Sequence, residues 1–248
     1  MGILNVTPDS FADGGKHNDF ESAVARGLEM IAEGVDIIDI GGESTRPGAD
    51  RVSEVEEIAR TIPVIKELAK HGVQISIDTM RASTANAAID AGASIINDVS
   101  GGLADPLMHQ TAAALKVPYI AMHWRGQSKD MNSKAIYGDV VSDVISELQE
   151  RVDAALDVGI SRDNLIIDPG LGFAKDADHN WAIIDAIDQF VDMGYPVLVG
   201  ASRKRFLGGD SPDEREQATI NLTKRLAPTG VWAVRVHSVK PHKEVLSA

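Results

Sequence analysis

Two carboxylates close very apolar runs, Asp78 in Gln74-Ile-Ser-Ile-Asp78 and Asp168 in Leu165-Ile-Ile-Asp168. A carboxylate in such a place can accept hydrogen bonds from the ring N–H and amino groups of a ligand. The competing reading is structural, a helix cap or an ion pair, and Arg81 closely follows Asp78. Asn97 ends another apolar run and adds an amide that both donates and accepts. Two aspartates and an asparagine facing one cavity suit a flat heterocycle with mixed donors and acceptors. They suit a metal cluster less well, because no His or Glu partner stands at ligand spacing.

Cations gather at two points of a chain whose net charge is −13. Arg203 and Lys204 follow the small-residue turn Gly200-Ala-Ser202, and Arg235 and His237 lie near the end. If both groups reach one cavity, they form a local anion site in an otherwise acidic protein. Asn5 lies toward the distal end of the first apolar run, which neighbours the last one in a closed ring of strands. It then meets the same anion directly or through Mg2+. His123, followed by Trp124 and Arg125, reads equally well as a hydrogen-bonded structural residue.

These residues sit at the ends of eight short apolar runs: Gly2–Thr7, Val35–Gly41, Val73–Asp78, Ser94–Val99, Val117–His123, Asn164–Asp168, Tyr195–Gly200 and Val231–His237. Other groups at the run ends are Asp39 with Glu43, and Asp98 beside Asn97. Helix-like stretches separate nearly all the runs, and repeated β-then-α alternation specifies a parallel sheet. Eight repeats in 248 residues match the size of one (β/α)8 TIM barrel of the α/β class. In that fold the C-terminal strand ends converge on one mouth, which would turn dispersed residues into one site.

With 44% hydrophobic residues the chain can bury one sizeable core, and residues 1–248 are expected to form a single domain. There is no cysteine, so disulfides and thiolate metal sites are excluded. No basic run or aromatic–basic interleaving occurs, which argues against a nucleic-acid partner. No apolar stretch approaches the roughly 18 residues of a membrane span, and the start lacks a leader-like apolar segment. A cytoplasmic location is expected.

Caps mark several helices. Asn18-x-x-Glu21, Ser53-x-x-Glu56 and Ser211-Pro-Asp-Glu214 have capping-box spacing. The first helix is expected to bury Phe20, Val24, Leu28 and Ile31, and the second Val55, Ile58, Ile62, Ile65 and Leu68. Further helices are expected near 81–91, 105–116, 139–158, 179–193 and 212–227. Long polar connections at Pro8–Asn18, Gly42–Ser53 and about 124–138 all follow strands, as lids and clamps do. Only Ser238–Ala248 follows the eighth run, so a truncated C-terminal helix is expected.

The motifs themselves go further. Gly2-Ile-Leu-Asn-Val-Thr-Pro-Asp-Ser-Phe11-x-Asp-Gly-Gly15 and Asp39-Ile-Gly-Gly-Glu-Ser-Thr-Arg-Pro-Gly48 resemble signatures of the dihydropteroate synthase family. Ser76-Ile-Asp-Thr79, Asn97-Asp98, Asp168-Pro-Gly-Leu-Gly-Phe173, Gly200-Ala-Ser-Arg-Lys204 and Arg235-Val-His237 follow in the family's order. Met122-His-Trp-Arg125, His179-Asn-Trp181 and Lys204-Arg-Phe-Leu207 are most similar to the actinobacterial branch. The resemblance implies a Mg2+-dependent transferase of folate biosynthesis without a redox cofactor. Its reaction joins 6-hydroxymethyl-7,8-dihydropterin pyrophosphate to p-aminobenzoate, giving 7,8-dihydropteroate and pyrophosphate.

On the matched positions, the resemblance places Asp78, Asn97, Asp168 and Lys204 around the pterin. Asn5 falls at the Mg2+–pyrophosphate position, with Arg235 and His237 as anion-binding partners. Phe11, Thr45, Arg46, Pro47, Phe173 and Ser202 fall around p-aminobenzoate, with Lys204 shared. Asn5, Asp78, Asp168, Lys204, Arg235 and His237 are then the catalytic set. Sulfonamides that mimic p-aminobenzoate are implied inhibitors, and the family's homodimer is the implied assembly. Two rivals share part of this pattern: a methyltetrahydrofolate methyltransferase, which has no pyrophosphate to bind, and a catalytically silent pterin-binding paralogue.

Overall fold

The computed structural model describes residues 1–7, 16–44, 51–127 and 131–247, leaving out the side chains at 16–19 and 132. The expectations for Phe11, Thr45, Arg46 and Pro47 lie outside the described residues.

All eight apolar runs contain strands, shorter than the runs: β1 (Gly2–Asn5), β2 (Ile37–Gly41), β3 (Gln74–Asp78), β4 (Ile95–Asp98), β5 (Tyr119–Met122), β6 (Leu165–Asp168), β7 (Leu198–Val199) and β8 (Ala233–Val234). Strands β1 to β6 form one parallel sheet in sequence order, and β7 pairs with β8 in parallel. The Ile167 N–H donates to Pro196 O at 2.9 Å, joining β6 to the chain entering β7. At the other seam the Ile3 N–H donates to Val236 O at 2.8 Å, and Val236 N–H to Met1 O at 2.9 Å. The eight strands therefore make a (β/α)8 barrel.

The helices are α1 (Lys16–Ala32), α2 (Glu54–Leu68), α3 (Ala82–Asp90), α4 (Met108–Leu115), α5 (Val140–Asp157), α6 (Ala177–Asp185), α7 (Ile187–Val191), α8 (Glu216–Leu226) and α9 (Lys240–Leu246). The stretch expected as one helix near 179–193 is two, α6 and α7, joined at Ala186. The last helix is short, as expected. No described helix is long and apolar enough to cross a membrane.

Some local expectations are corrected. Helix α1 begins at Lys16, so Asn18 lies inside it rather than capping it. Phe20, Val24 and Ile31 pack against the core as expected, beside buried Ala23, Gly27 and Met30, but Leu28 is exposed. Ser53 does cap α2, accepting from the Glu56 N–H at 3.2 Å. Ile65 and Leu68 are buried and Ile62 packs against the core as expected, but the buried stripe also takes in Glu57, Thr61 and Val64, and Val55 faces solvent. The Ser211–Glu214 pair closes a turn, and α8 starts only at Glu216.

Strands β2 and β4 to β7 are buried on both faces, and β8 is half-buried. Outward residues such as Ile38, Ile40, Ile75, Ile77, Ile96 and Tyr119 pack in the large core under the helices. Inward residues Met1, Ile37, Ile95, Ile120, Ile166 and Leu198, with Ala233, form a separate apolar floor inside the barrel. Because side chains alternate between faces, the next inward residue on each strand lies two positions further toward the mouth.

Candidate active site

That alternation builds the site. Two residues beyond the floor come Asp39 after Ile37, Asn97 after Ile95, Asp168 after Ile166, Gly200 after Leu198 and Arg235 after Ala233. Asp78 follows inward-facing Ser76 in the same way and is the register partner of Asn97. Glycine opens the interior at two points. A Cβ on Gly200 would stand 3.7 Å from Asp168 Oδ2, and one on Gly41 would stand 3.4 Å from the Asp78 Cβ.

Arg235 crosses this interior. Its Nε donates to Asp39 Oδ2 at 2.6 Å and its Nη2 to Asp78 Oδ2 at 2.7 Å. Asp39, fully buried, also accepts from Asn97 Nδ2 at 3.0 Å, which leaves the Asn97 amide oxygen as an acceptor. Two carboxylates thus share one guanidinium. Burial pushes the Asp78 carboxyl up to about 7 and outweighs the Arg235 charge, which Asp39 also draws on. Asp39 Oδ1 and Ser76 Oγ, on register partners, are buried without a hydrogen-bond partner among the described residues.

Asp168 and Lys204 form the other side. Asp168 Oδ1 accepts from the Gly170 N–H at 2.7 Å, and burial raises its pKa against the pull of Lys204. Lys204 Nζ donates to Leu171 O and lies 4.6 Å from the centre of the Phe173 ring, within cation–π range. Burial lowers the Lys204 ammonium to about 8, with Asp168 opposing.

Near Lys204, Ser202 Oγ accepts from the His237 backbone N–H at 3.2 Å and lies 2.9 Å from His237 Nδ1. That contact joins the turn after β7 to the one after β8. Asn5, half-buried, ends β1 in register with Gly41. Asn5, Asp78, Asn97, Asp168, Phe173, Ser202, Lys204, Arg235 and His237 therefore all lie at the C-terminal end of the barrel.

Several residues at run ends have other roles. Asp98 points outward and accepts from Ser100, Gly102 and the Tyr119 hydroxyl, the last at 2.8 Å. Glu43 accepts from Arg51 and Arg81. Arg81 pairs with Glu43 and Glu57, so the arginine that meets Asp78 is Arg235 instead. Arg203, in the left-handed region at φ 58°, donates to Glu216 Oε2 at 2.7 Å and is held by a helix. His123 is the structural residue of its two readings, buried between Glu147 and Lys175.

Residues 1–237 match the family model described as pterin binding enzyme. The dihydropteroate synthase of Mycobacterium leprae is 48% identical, with 99% of this chain and 90% of that protein covered. The chain belongs to the dihydropteroate synthases. The Bacillus subtilis member is also 48% identical, covering 97% of this chain and 83% of its own length. The Xanthomonas albilineans dihydropteroate synthase solved with 4-aminobenzoic acid superposes with a TM-score of 0.94 at 42% identity, covering 100% of this chain and 90% of that one. The mycobacterial match agrees with the actinobacterial resemblance, and neither rival reading is favoured.

In this dihydropteroate synthase three residues escaped sequence reasoning. Glu57 is buried on α2, accepting from Thr79, Thr84 and Arg81, and its spacing with Thr61, Val64 and Leu68 was the signal. Lys175 is buried although it opens the charged stretch Lys175-Asp-Ala-Asp178, so no sequence signal points to it. Glu216 gathers Arg203 and Ser238 from the last two mouth turns, and no sequence signal points to it.

Proposed function

We propose that residues 1–248 act as one catalytic unit that joins 6-hydroxymethyl-7,8-dihydropterin pyrophosphate to p-aminobenzoate. Asp78, Asn97, Asp168 and Lys204 hold the pterin, and Arg235, His237 and Asn5 receive the pyrophosphate. Phe173, Ser202 and Lys204 take p-aminobenzoate, together with Phe11, Thr45, Arg46 and Pro47. The observation that carries this reading is the register pairing of Asp78 with Asn97 at the same end of the barrel as Asp168. It supplies acceptors and a mixed amide to a flat ring with N–H groups.

The described residues contain no cluster of three His, Asp or Glu able to cage a metal. Magnesium on a pyrophosphate needs none, since it takes one or two protein oxygens and fills its shell with phosphate oxygens and water. Asn5 at the rim fits that mode and would hold the ion, whose charge would ease departure of the leaving group.

Arg235 is oriented by Asp39 and Asp78 and neutralises anionic charge next to the ring. The bond from the exocyclic methylene to the pyrophosphate oxygen breaks with its electron pair leaving on oxygen. The electron-rich dihydropterin delocalises the resulting cation, so departure is SN1-like. The neutral aniline nitrogen then forms the C–N bond and loses a proton, which asks for placement more than for a general base. Asp168 accordingly holds the ring rather than moving the proton.

The test is release of pyrophosphate by the purified protein with the pterin pyrophosphate and Mg2+, with and without p-aminobenzoate. Release with dihydropteroate formation only when p-aminobenzoate is present is expected. Tight pterin binding without turnover would leave a silent pterin-binding protein.

A further inference from the structure

Behind the segment after β6 lies a buried polar chain that takes no part in the chemistry described above. Lys175 Nζ donates to Gly170 O at 3.1 Å and to Phe173 O at 3.1 Å, and stands 2.8 Å from His123 Nδ1. Three acceptors around one ammonium match its three N–H groups. As His123 Nδ1 accepts, its Nε2 carries the proton and donates to Glu147 Oε2 at 2.9 Å. Arg125 completes the chain, donating to Glu147 through Nε at 3.0 Å and lying 3.8 Å from the centre of the Tyr137 ring. The Tyr137 hydroxyl donates to Ala174 O at 2.9 Å.

Burial lowers the Lys175 ammonium to about 7, with Asp168 opposing, so the direction of the chain is set by the Glu147 carboxylate, which can only accept from His123 Nε2. Burial, then the Lys175 charge, lowers His123 to about 4, which keeps it neutral. Burial opposes ionisation of Glu147, but hydrogen bonds from His123 and Arg125 hold it down at about 2. A lysine this buried is costly unless every N–H has a partner.

The segment that Lys175 grips is the one that touches Lys204. Leu171 O, between the two carbonyls held from behind, accepts from Lys204 on the cavity side. The Phe173 ring lies against the Lys204 ammonium. The turn has no slack: Gly170, Gly172 and Ala174 all have positive φ. A Cβ on Gly170 would come 2.4 Å from His123 O, and one on Gly172 would come 2.8 Å from Lys204 Cδ. A displaced Gly170 or Phe173 carbonyl therefore moves both the Phe173 ring and the oxygen that anchors Lys204.

We infer that Lys175, held by His123, is a positioning residue that sets Phe173 and Lys204 for p-aminobenzoate. This rests on the assignment of those two residues to p-aminobenzoate. Its effect on the pterin is smaller, because Asp78 and Asn97 stand on β3 and β4 outside this turn, although Asp168, which accepts from the Gly170 N–H, and Lys204 are shared with the pterin.

The test compares Lys175→Met, His123→Leu and His123→Asn, with Phe173→Ala as reference, in steady-state kinetics and pterin pyrophosphate binding. Asn places an acceptor near the position of Nδ1, whereas Leu does not. Lys175→Met and His123→Leu are expected to raise KM for p-aminobenzoate at least tenfold, with a several-fold smaller loss of pterin pyrophosphate binding because Asp78 and Asn97 keep their places. His123→Asn is expected to restore most of the KM although it loses Glu147. A structural role alone would lower thermal stability with both KM values unchanged, or would affect His123→Leu and His123→Asn equally, and either result overturns the proposal. If Lys175→Met does not fold, the two His123 variants decide the matter. If Phe173→Ala leaves KM for p-aminobenzoate unchanged, the underlying site assignment fails as well. A Phe173→Ala effect without a Lys175 or His123 effect removes the positioning role alone.

Discussion

Arg235 and Asp39 meet across the barrel interior with Nε 2.6 Å from Oδ2, although 196 residues separate them in the chain. The contact ties the strand that closes the barrel to the second one. It also holds Asn97 through the same carboxylate oxygen. A site built this way comes into existence only when the seam between β8 and β1 is formed.

Asp39→Asn is expected to destabilise the protein by about 1.5–3 kcal/mol, the range for a hydrogen bond to a charged group. The guanidinium keeps Asp78 as a partner, which limits the loss. Equilibrium urea denaturation measures the difference, and an unchanged midpoint would show that the pair contributes nothing to stability.

Asp78 sets a pH trend. The folded protein keeps the Asp78 proton up to about pH 7, whereas the unfolded chain releases it near 3.8. Between those values the folded state binds more protons, so this group's contribution to stability falls as pH rises. Asp78→Asn cannot titrate, so the stability difference should drift in favour of the variant across that window and level off above it. A difference independent of pH would mean that the carboxyl titrates alike in both states.

Asp168→Asn separates holding from proton transfer. The pterin pyrophosphate should bind at least tenfold more weakly, a loss of about 1.4 kcal/mol, with kcat retained at saturation. Retained binding with lost kcat would make Asp168 a participant in proton movement.

Chelation of divalent cations is expected to stop turnover, and added Mg2+ to restore it. Asn5→Ala should raise the Mg2+ concentration for half-maximal rate several-fold and leave KM for p-aminobenzoate unchanged. An unaltered Mg2+ response would place the ion elsewhere.

Much of this molecule was legible from residues alone. Apolar runs ending in polar groups specify buried parallel strands with functional ends, because a strand covered on both faces has no solvent side to encode. Asp78, Asn97, Asp168, Lys204 and Arg235 follow from that reading. The faces of α1 and α2 were less legible, since Leu28 and Val55 satisfy helical periodicity yet stand outside, while Glu57 is buried because Arg81, Thr79 and Thr84 hydrogen-bond it.

What the chain order determined by itself was the eightfold alternation and the identity of the groups at the mouth, since hydrophobic periodicity is a local property. Only the tertiary structure showed what Asp98 does beside Asn97, turning outward to accept from Ser100, Gly102 and Tyr119. It alone decided that Arg235 serves Asp39 and Asp78, that Glu216 holds Arg203, and that Lys175 grips the segment bearing Phe173. Ion pairs and buried hydrogen bonds are chosen by distance in the folded barrel, and residues far apart in sequence become partners only once the strands close the ring.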